Sequence, residues 1–487
     1  MRLRAALAAC VAIVGAIVLA AIEPRLHMTF PSLIDDWVGI RDAPEQLREV
    51  ARLGSPEGSR YRPGFIMWNG LQWHTLDAPT GFFGPQLWGL ARFAVLVVGV
   101  TLLTALLVPS RSGRLWNEPR RLLVVGVPVA AITAPSLAID IARYGTQEPL
   151  LVGCMSLGAV LLVRSLDALL VARAVAPTTV FALAAGLVLW AFGVFQKETS
   201  VCVLLLAPFL LPTLRGQRPR WERLDGSRRL GVLAVAAGIL LPFVPMLVRT
   251  VQLALADERI YQDAAAGRSL PARFWEQLER AGEVLHSHLP AVIVVAALVL
   301  VTHVAFRTGV DWLSVGFLVV GLAFVLFAAE AGVVASRYLL PTIFLAALAL
   351  ARSAVSLGSR AVCAVGVALV VWGSVQAADA RGWVQWWVDG ERDRETLVRE
   401  AASRQAGGCR VDVTGLNVEL VQALPVLVPL AEETPRDCVE GERFVVVIDP
   451  GGPGTESPPD DPVLAPCAPE PEPVWSSHIG KIVRCTA

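Results

Sequence analysis

The sequence predicts an α-helical polytopic membrane protein with about eleven transmembrane helices, followed by a small extracytoplasmic α/β domain. Three observations predict it. The chain has 487 residues and is 55% hydrophobic, with a mean hydropathy of +0.58. Apolar runs near the roughly 20 residues that a bilayer crossing needs recur through its first three quarters. The remaining quarter is polar and holds Cys409, Cys438, Cys467 and Cys485. Such a composition cannot wrap a water-soluble core in a polar surface, so the bilayer is the solvent to reason in.

The expected spans lie near residues 5–22, 88–108, 122–138, 150–171, 177–195, 199–214, 230–248, 289–305, 312–330, 338–351 and 361–378. The first follows Met-Arg-Leu-Arg and has a poor small-residue cleavage pattern, so it reads as a signal anchor. Arginine placement gives the orientation, because cytoplasmic loops retain positive charge. With the N-terminus cytoplasmic, alternate connections hold Arg2 and Arg4, then Arg111, Arg114, Arg120 and Arg121, then Arg164 and Arg173. The later ones hold Arg215, Arg218, Arg220, Arg223, Arg228 and Arg229, then Arg307, and last Arg352 and Arg360. An odd span count then makes the C-terminus extracytoplasmic, in a multi-pass plasma-membrane protein.

Two long outer segments, 23–87 and 249–288, carry amphipathic patterns that suit interfacial helices. Trp383, Trp386 and Trp387 read as the aromatic anchor of the last span. The chain therefore divides into a transmembrane domain, residues 1–380, and an outer domain, residues 381–487. In the outer domain, Arg410 to Leu416 and Arg443 to Asp449 read as strands, Asn417 to Leu430 as a helix interrupted at Pro425, and Pro450 to Pro473 as a loop. Its four cysteines fit two disulfides in an oxidising compartment, and no CxxC spacing points to a metal. Of three possible pairings, Cys409 with Cys438 and Cys467 with Cys485 is preferred. The first two precede neighbouring strands, and the last two flank the Pro-rich loop.

Formal net charge is zero, so no basic field gathers nucleic acid. No Walker A, GxGxxG or HExxH pattern appears. The informative anomaly is ionisable residues at one face of the membrane, where a charge at bilayer depth costs about 2.5–3.5 kcal/mol on insertion scales. Asp35 and Asp36 follow the first span, Arg60 and Arg62 lie in Ser-Arg-Tyr-Arg-Pro, and Asp140, Arg143 and Glu148 lie between the third and fourth spans. Lys197 and Glu198 form a tight turn between the fifth and sixth, and Glu330 and Arg337 lie between the ninth and tenth. Each has a structural alternative: a solvated loop start for the acid pair, a salt-bridged turn for Lys197 and Glu198, a snorkelling end residue for Arg337.

The acid pair after the first span, the outer Lys-Glu turn, and Ser-Arg-Tyr-Leu-Leu-Pro opening a late span together resemble the GT-C superfamily of membrane glycosyltransferases. That superfamily includes protein mannosyltransferases, lipid A aminoarabinose transferases and mycobacterial arabinofuranosyltransferases. The resemblance spans residues 1 to about 380 by architecture. Residue by residue it rests on Asp35, Asp36, Lys197, Glu198, Arg337 and Tyr338, with Arg60 and Arg62 a weaker match. The outer domain fits actinobacterial mannosyl and arabinofuranosyl members better than the aminoarabinose ones.

The resemblance implies inverting transfer of a sugar from a polyprenyl phosphate donor to a glycan, lipid or protein acceptor in the cell envelope. Asp35 or Asp36 would be the general base. Lys197, Arg337, Arg60 and Arg62 would hold the donor phosphate, with Glu198 orienting Lys197 and Tyr338 in support. No cofactor is implied: a divalent ion on the acid pair is compatible with this chemistry, but a polyprenyl monophosphate leaving group does not demand one. A transporter or lipid-linked sugar flippase remains the main alternative, since it too needs many spans and buried charges, although no internal repeat is evident. A polysaccharide polymerase or ligase, with His286 and His288 as its cue, and a nonenzymatic scaffold for envelope assembly also stay open.

Overall fold

The computed structural model describes residues 2–26, 62–76, 84–108, 118–133, 147–171, 176–210, 224–248, 311–330, 339–413, 442–448, 473–477 and 480–485, with single positions 48, 222, 275, 278, 279 and 282. Its helices are α1 (Arg2–Leu26), α2 (Pro63–Leu76), α3 (Gly84–Leu107), α4 (Glu118–Ile132), α5 (Glu148–Val171), α6 (Pro177–Val194) and α7 (Gly226–Leu240). They continue with α8 (Trp312–Glu330), α9 (Leu340–Leu357) and α10 (Ser359–Ala406), and a 3-10 helix, Glu198–Leu206, follows α6. Among the described residues, seven helices are long and apolar enough to cross a membrane, and Thr199–Leu210 and Trp312–Leu326 are shorter apolar helices. The chain is thus a mostly helical multi-pass membrane protein. The span expected at 289–305 lies outside the described residues.

Neighbour relations give the helices their sense. Arg121, at the start of α4, lies within electrostatic reach of Cys10 on α1, and a Cβ on Gly366 would meet Leu122 at 2.6 Å. Further along, Gly373 faces Val129, Thr133 Oγ1 lies 2.8 Å from the Gly373 carbonyl, and Arg381 bonds Glu23 at 2.7 Å. So α1, α4 and α10 run in the same direction. The start of α1 and the far end of α10 therefore lie at opposite ends of the bundle.

The span expected at 230–248 falls within the apolar stretch Gly226–Val248, which is helical to Leu240, turns at Leu241 and Pro242, and is helical again to Val248. Pro242 and Pro245 remove backbone donors there and explain the break. The run expected at 199–214 starts as a 3-10 helix, and α4 ends at Ile132 with Pro128 inside it. The largest difference is at the domain boundary, because α10 does not stop near 378 but runs 48 residues, about 72 Å at 1.5 Å per residue. Past residue 380 it still has an apolar stripe to bury, with Val384, Val388, Leu397, Val398, Ala401 and Ala402 all fully buried. Trp383 and Trp386 are exposed and stack edge to face at 5.9 Å. They lie about 36 Å along the helix from Ser359, close to a bilayer's hydrocarbon thickness plus its interface.

The end of α10 packs on a four-stranded sheet of β1 (Arg410–Val413), β2 (Arg443–Ile448), β3 (Pro473–Ser477) and β4 (Gly480–Cys485), in the order β1-β2-β4-β3. β1 and β2 are parallel, and β4 is antiparallel to both β2 and β3. The first two strands fall where the sequence puts them. β3 and β4, which the sequence reading lacked, form a hairpin that completes the sheet. Phe444 is buried under the Arg404 guanidinium at 4.5 Å, which ties the helix end to the sheet. The helix expected over Asn417–Leu430 lies outside the described residues. Among the described residues the free thiols are Cys10, Cys154, Cys202 and Cys363, and Cys409 and Cys485 are buried and not among them.

Candidate active site at one end of the bundle

Helices α5 and α6 form a closely packed antiparallel pair, and that pairing builds the site. A Cβ on Gly193 would meet Met155 Cγ at 2.6 Å and Met155 N at 2.8 Å. Only a residue with no side chain lets the end of α6 lie this close to the start of α5. The result carries the turn after α6 to the first residue of α5, and there Lys197 Nζ donates to Glu148 Oε1. Both side chains are buried, at 5% and 4% exposure. Charges at such burial need partners, and each supplies one for the other.

Helix α2 brings a third segment. The Gly64 N–H donates to the Phe195 carbonyl at 3.1 Å, and a Cβ on Gly64 would come within 2.7 Å of the Phe192 carbonyl and 2.9 Å of Gln196 Nε2. Pro63 starts the helix at a position that loses no backbone hydrogen bond. The half-buried Arg62 therefore precedes a helix pinned to the turn that holds Lys197. One turn on, Trp68 stacks edge to face on Trp88 at 5.0 Å and packs with Leu150 and Cys154. These contacts close the space between α2, α3 and α5.

Helix α3 adds a buried cation. A Cβ on Gly153 would meet Leu96 Cα at 2.8 Å, and Trp88, Ala91 and Val95 pack with Leu150 and Cys154. α3 and α5 thus run side by side in the same sense, which sets Arg92 at roughly the depth of Glu148. Arg92 is fully buried, with its guanidinium 5.6 Å from the centre of the Phe93 ring.

Around this layer several buried polar atoms find no hydrogen-bond partner: Asn69 Oδ1, Gln147 Oε1, Gln196 Oε1 and Trp68 Nε1. Each such atom costs about 1–3 kcal/mol. These four lie at the end of the bundle that holds the ion pair, while others, such as Thr101 Oγ1 and Ser353 Oγ, lie elsewhere in it.

The opposite end of α3 offers a contrast. Arg352 Nε donates to Asp311 Oδ2 at 2.7 Å, its second nitrogen to Oδ1 at 3.0 Å, and its third to the Leu107 carbonyl at 2.7 Å. Ser314 Oγ donates to Asp311 Oδ2 at 2.7 Å. Burial pushes the Asp311 carboxyl up, but the bonds from Arg352 and Ser314 outweigh it and hold the group below the usual range. Arg352, expected as a plain cytoplasmic positive charge, is the centre of this brace.

Of the residues singled out by sequence, the structure brings together the Arg62 segment, Glu148 and Lys197. Glu148 is the described partner of Lys197, a place the sequence reading gave to Glu198, which opens the 3-10 helix. Asp35, Asp36, Arg60, Asp140, Arg143, Arg337 and Tyr338 lie outside the described residues. Arg92, Asn69, Gln147 and Gln196 were missed. Arg92 had a signal, being the one charged residue of Gly84–Leu107; the amides had none.

No protein-family model matches the chain, and no curated protein matches it. Two solved structures align with nearly the whole chain. One is the crystal structure of ArnT from Cupriavidus metallidurans bound to undecaprenyl phosphate, with 13% identity over 99% of this chain and 98% of that one, at a TM-score of 0.47. The other is the same protein in the apo state, with 12% identity over 98% and 97% and a TM-score of 0.48. At that level of likeness neither structure assigns a residue or an activity here.

Proposed function

We propose that this chain is a GT-C-like glycosyltransferase that moves a sugar, with inversion, from a polyprenyl phosphate donor to a cell-envelope acceptor at the outer membrane face. The observation that carries the reading is the buried layer in which the Arg62 segment, Glu148 and Lys197 meet at one end of a membrane bundle. Displacing a polyprenyl phosphate needs fixed positive charge beside the departing oxygen and a base on the attacking hydroxyl. Glu148 supplies the fixing, since its carboxylate holds the buried Lys197 side chain in place. Arg62 precedes a helix pinned to the same turn, and its planar guanidinium suits a two-point grip on phosphate. Asp35 or Asp36 is the base in this reading. Arg337 and Arg60 complete the phosphate grip, with Glu198 and Tyr338 supporting it.

In the same reading the N-terminus is cytoplasmic, the sheet at the end of α10 is extracytoplasmic, and Cys409–Cys438 and Cys467–Cys485 are its disulfides. The test is transfer from decaprenyl phosphomannose or decaprenyl phosphoarabinofuranose into membrane acceptors by the purified protein. Transfer that survives simultaneous Asp35→Asn and Asp36→Asn substitution at full rate overturns the reading and moves the transporter alternative ahead.

A further inference from the structure

The ion pair between α5 and α6 is flanked by two amides. Gln147 immediately precedes Glu148, and Gln196 immediately precedes Lys197. Both are buried, at 9% and 0% exposure, and each leaves its side-chain Oε1 without a hydrogen-bond partner. For Gln196 the assignment of the bare atom follows from its neighbour, because Nε2 donates to the Phe192 carbonyl at 3.4 Å. The bare atoms are thus carbonyl oxygens, one from each side of the pair. Such atoms accept hydrogen bonds and donate none.

That property narrows the ligand. A phosphate dianion has only acceptor oxygens and gains nothing from an amide carbonyl, and a polyprenyl tail has no polar atom at all. A ring bearing several hydroxyls supplies the donors that both atoms lack. Resting on the glycosyltransferase reading, we propose that Gln147 and Gln196, the residues preceding Glu148 and Lys197, form a hydroxyl-recognising subsite for a glycosyl group. The same chemistry suits the donor's sugar or a sugar of the acceptor, and Lys197, next to Gln196 in the chain, orders the reactants: charge for the phosphate, amide oxygens for the ring.

The experiment measures binding, not turnover, on the full-length protein in detergent micelles. Probes are decaprenyl phosphate, decaprenyl phosphomannose, decaprenyl phosphoarabinofuranose, and short mannose and arabinose oligosaccharides. The variants are Gln147→Met and Gln196→Met, nearly isosteric and apolar, with the melting temperature followed alongside. The wild type is expected to bind at least one sugar-bearing donor or one oligosaccharide at least tenfold more tightly than the Met variants do. Affinity for bare decaprenyl phosphate should stay within about twofold. Loss confined to the donors places the subsite on the donor sugar; loss confined to the oligosaccharides places it on the acceptor, and both support the proposal. Unchanged affinity of both variants for every sugar probe overturns it, as does an equal loss for bare decaprenyl phosphate. Failure of the glycosyltransferase reading shows instead in the transfer assay of the Asp35 and Asp36 variants.

Discussion

Two charged clusters occupy the two ends of α3, about 22 Å apart from Arg92 to Leu107 at 1.5 Å per residue. At one end Arg352 and Asp311 bond each other twice, Ser314 adds a bond to Asp311, and Arg352 adds one to the Leu107 carbonyl. At the other, Lys197 and Glu148 bond each other more deeply buried, yet the amides beside them leave acceptors bare. A brace whose only task is to hold helices together satisfies its polar groups, because each orphan weakens the fold. A site meant to receive a ligand leaves some open for it. The contrast is one of degree, since Ser353 Oγ, next to Arg352 in the chain, is also buried without a partner.

The largest effect that can break this comparison is catalytic. Asp35→Asn or Asp36→Asn is expected to lower transfer by about 10² to 10⁴, the usual contribution of a positioned base, while thermal stability and membrane insertion stay unchanged. One of the two should carry most of the loss. A rate within twofold of wild type for the double variant removes the chemistry from this end.

Next is the ion pair itself. Lys197→Met removes the described partner of buried Glu148, and breaking a buried pair costs about 3–5 kcal/mol. Adding Glu148→Gln should restore most of the stability but not transfer. Arg352→Met together with Asp311→Asn should do the reverse, costing stability and leaving the rate of the folded fraction intact. If both double variants lose transfer equally, the two ends do not differ in purpose.

A smaller effect comes from Gly64→Ala. The new methyl meets a backbone carbonyl at 2.7 Å that cannot swing aside, so the helix start must shift. Transfer should fall through a higher KM for the donor, because Arg62 and the Lys197 turn move apart, with a modest drop in melting temperature. An unchanged KM would show that the pinning of α2 is structural only.

The smallest effect is the acid response of the brace. The Asp311 carboxyl is held below its ordinary value, so its folded pKa lies under its unfolded one. The stability it contributes is complete above the unfolded pKa, near 3.9, and is lost as pH falls through the folded one. Asp311→Asn should therefore lower the melting temperature at pH 7 and flatten its fall between pH 5 and 3. Parallel curves for the two proteins would remove Asp311 from the acid response.

By itself the sequence determined the membrane class, because apolar runs such as 5–22, 88–108 and 150–171 need no partner to declare themselves: the bilayer sets their length. It also located strands at Arg410 and Arg443, and it marked Lys197 as anomalous, since a charge within an apolar stretch is visible without coordinates. It could not show that α10 runs on past residue 380, because the reason is a stripe of buried residues whose partners lie on α1 and the sheet. Nor could it pair Lys197 with Glu148, 49 residues away. That pairing depends on an antiparallel packing of α5 and α6 close enough to exclude a Cβ at Gly193. Gln147 and Gln196 read as ordinary polar residues in a line of letters, and only the tertiary structure decided that their oxygens are buried without a donor.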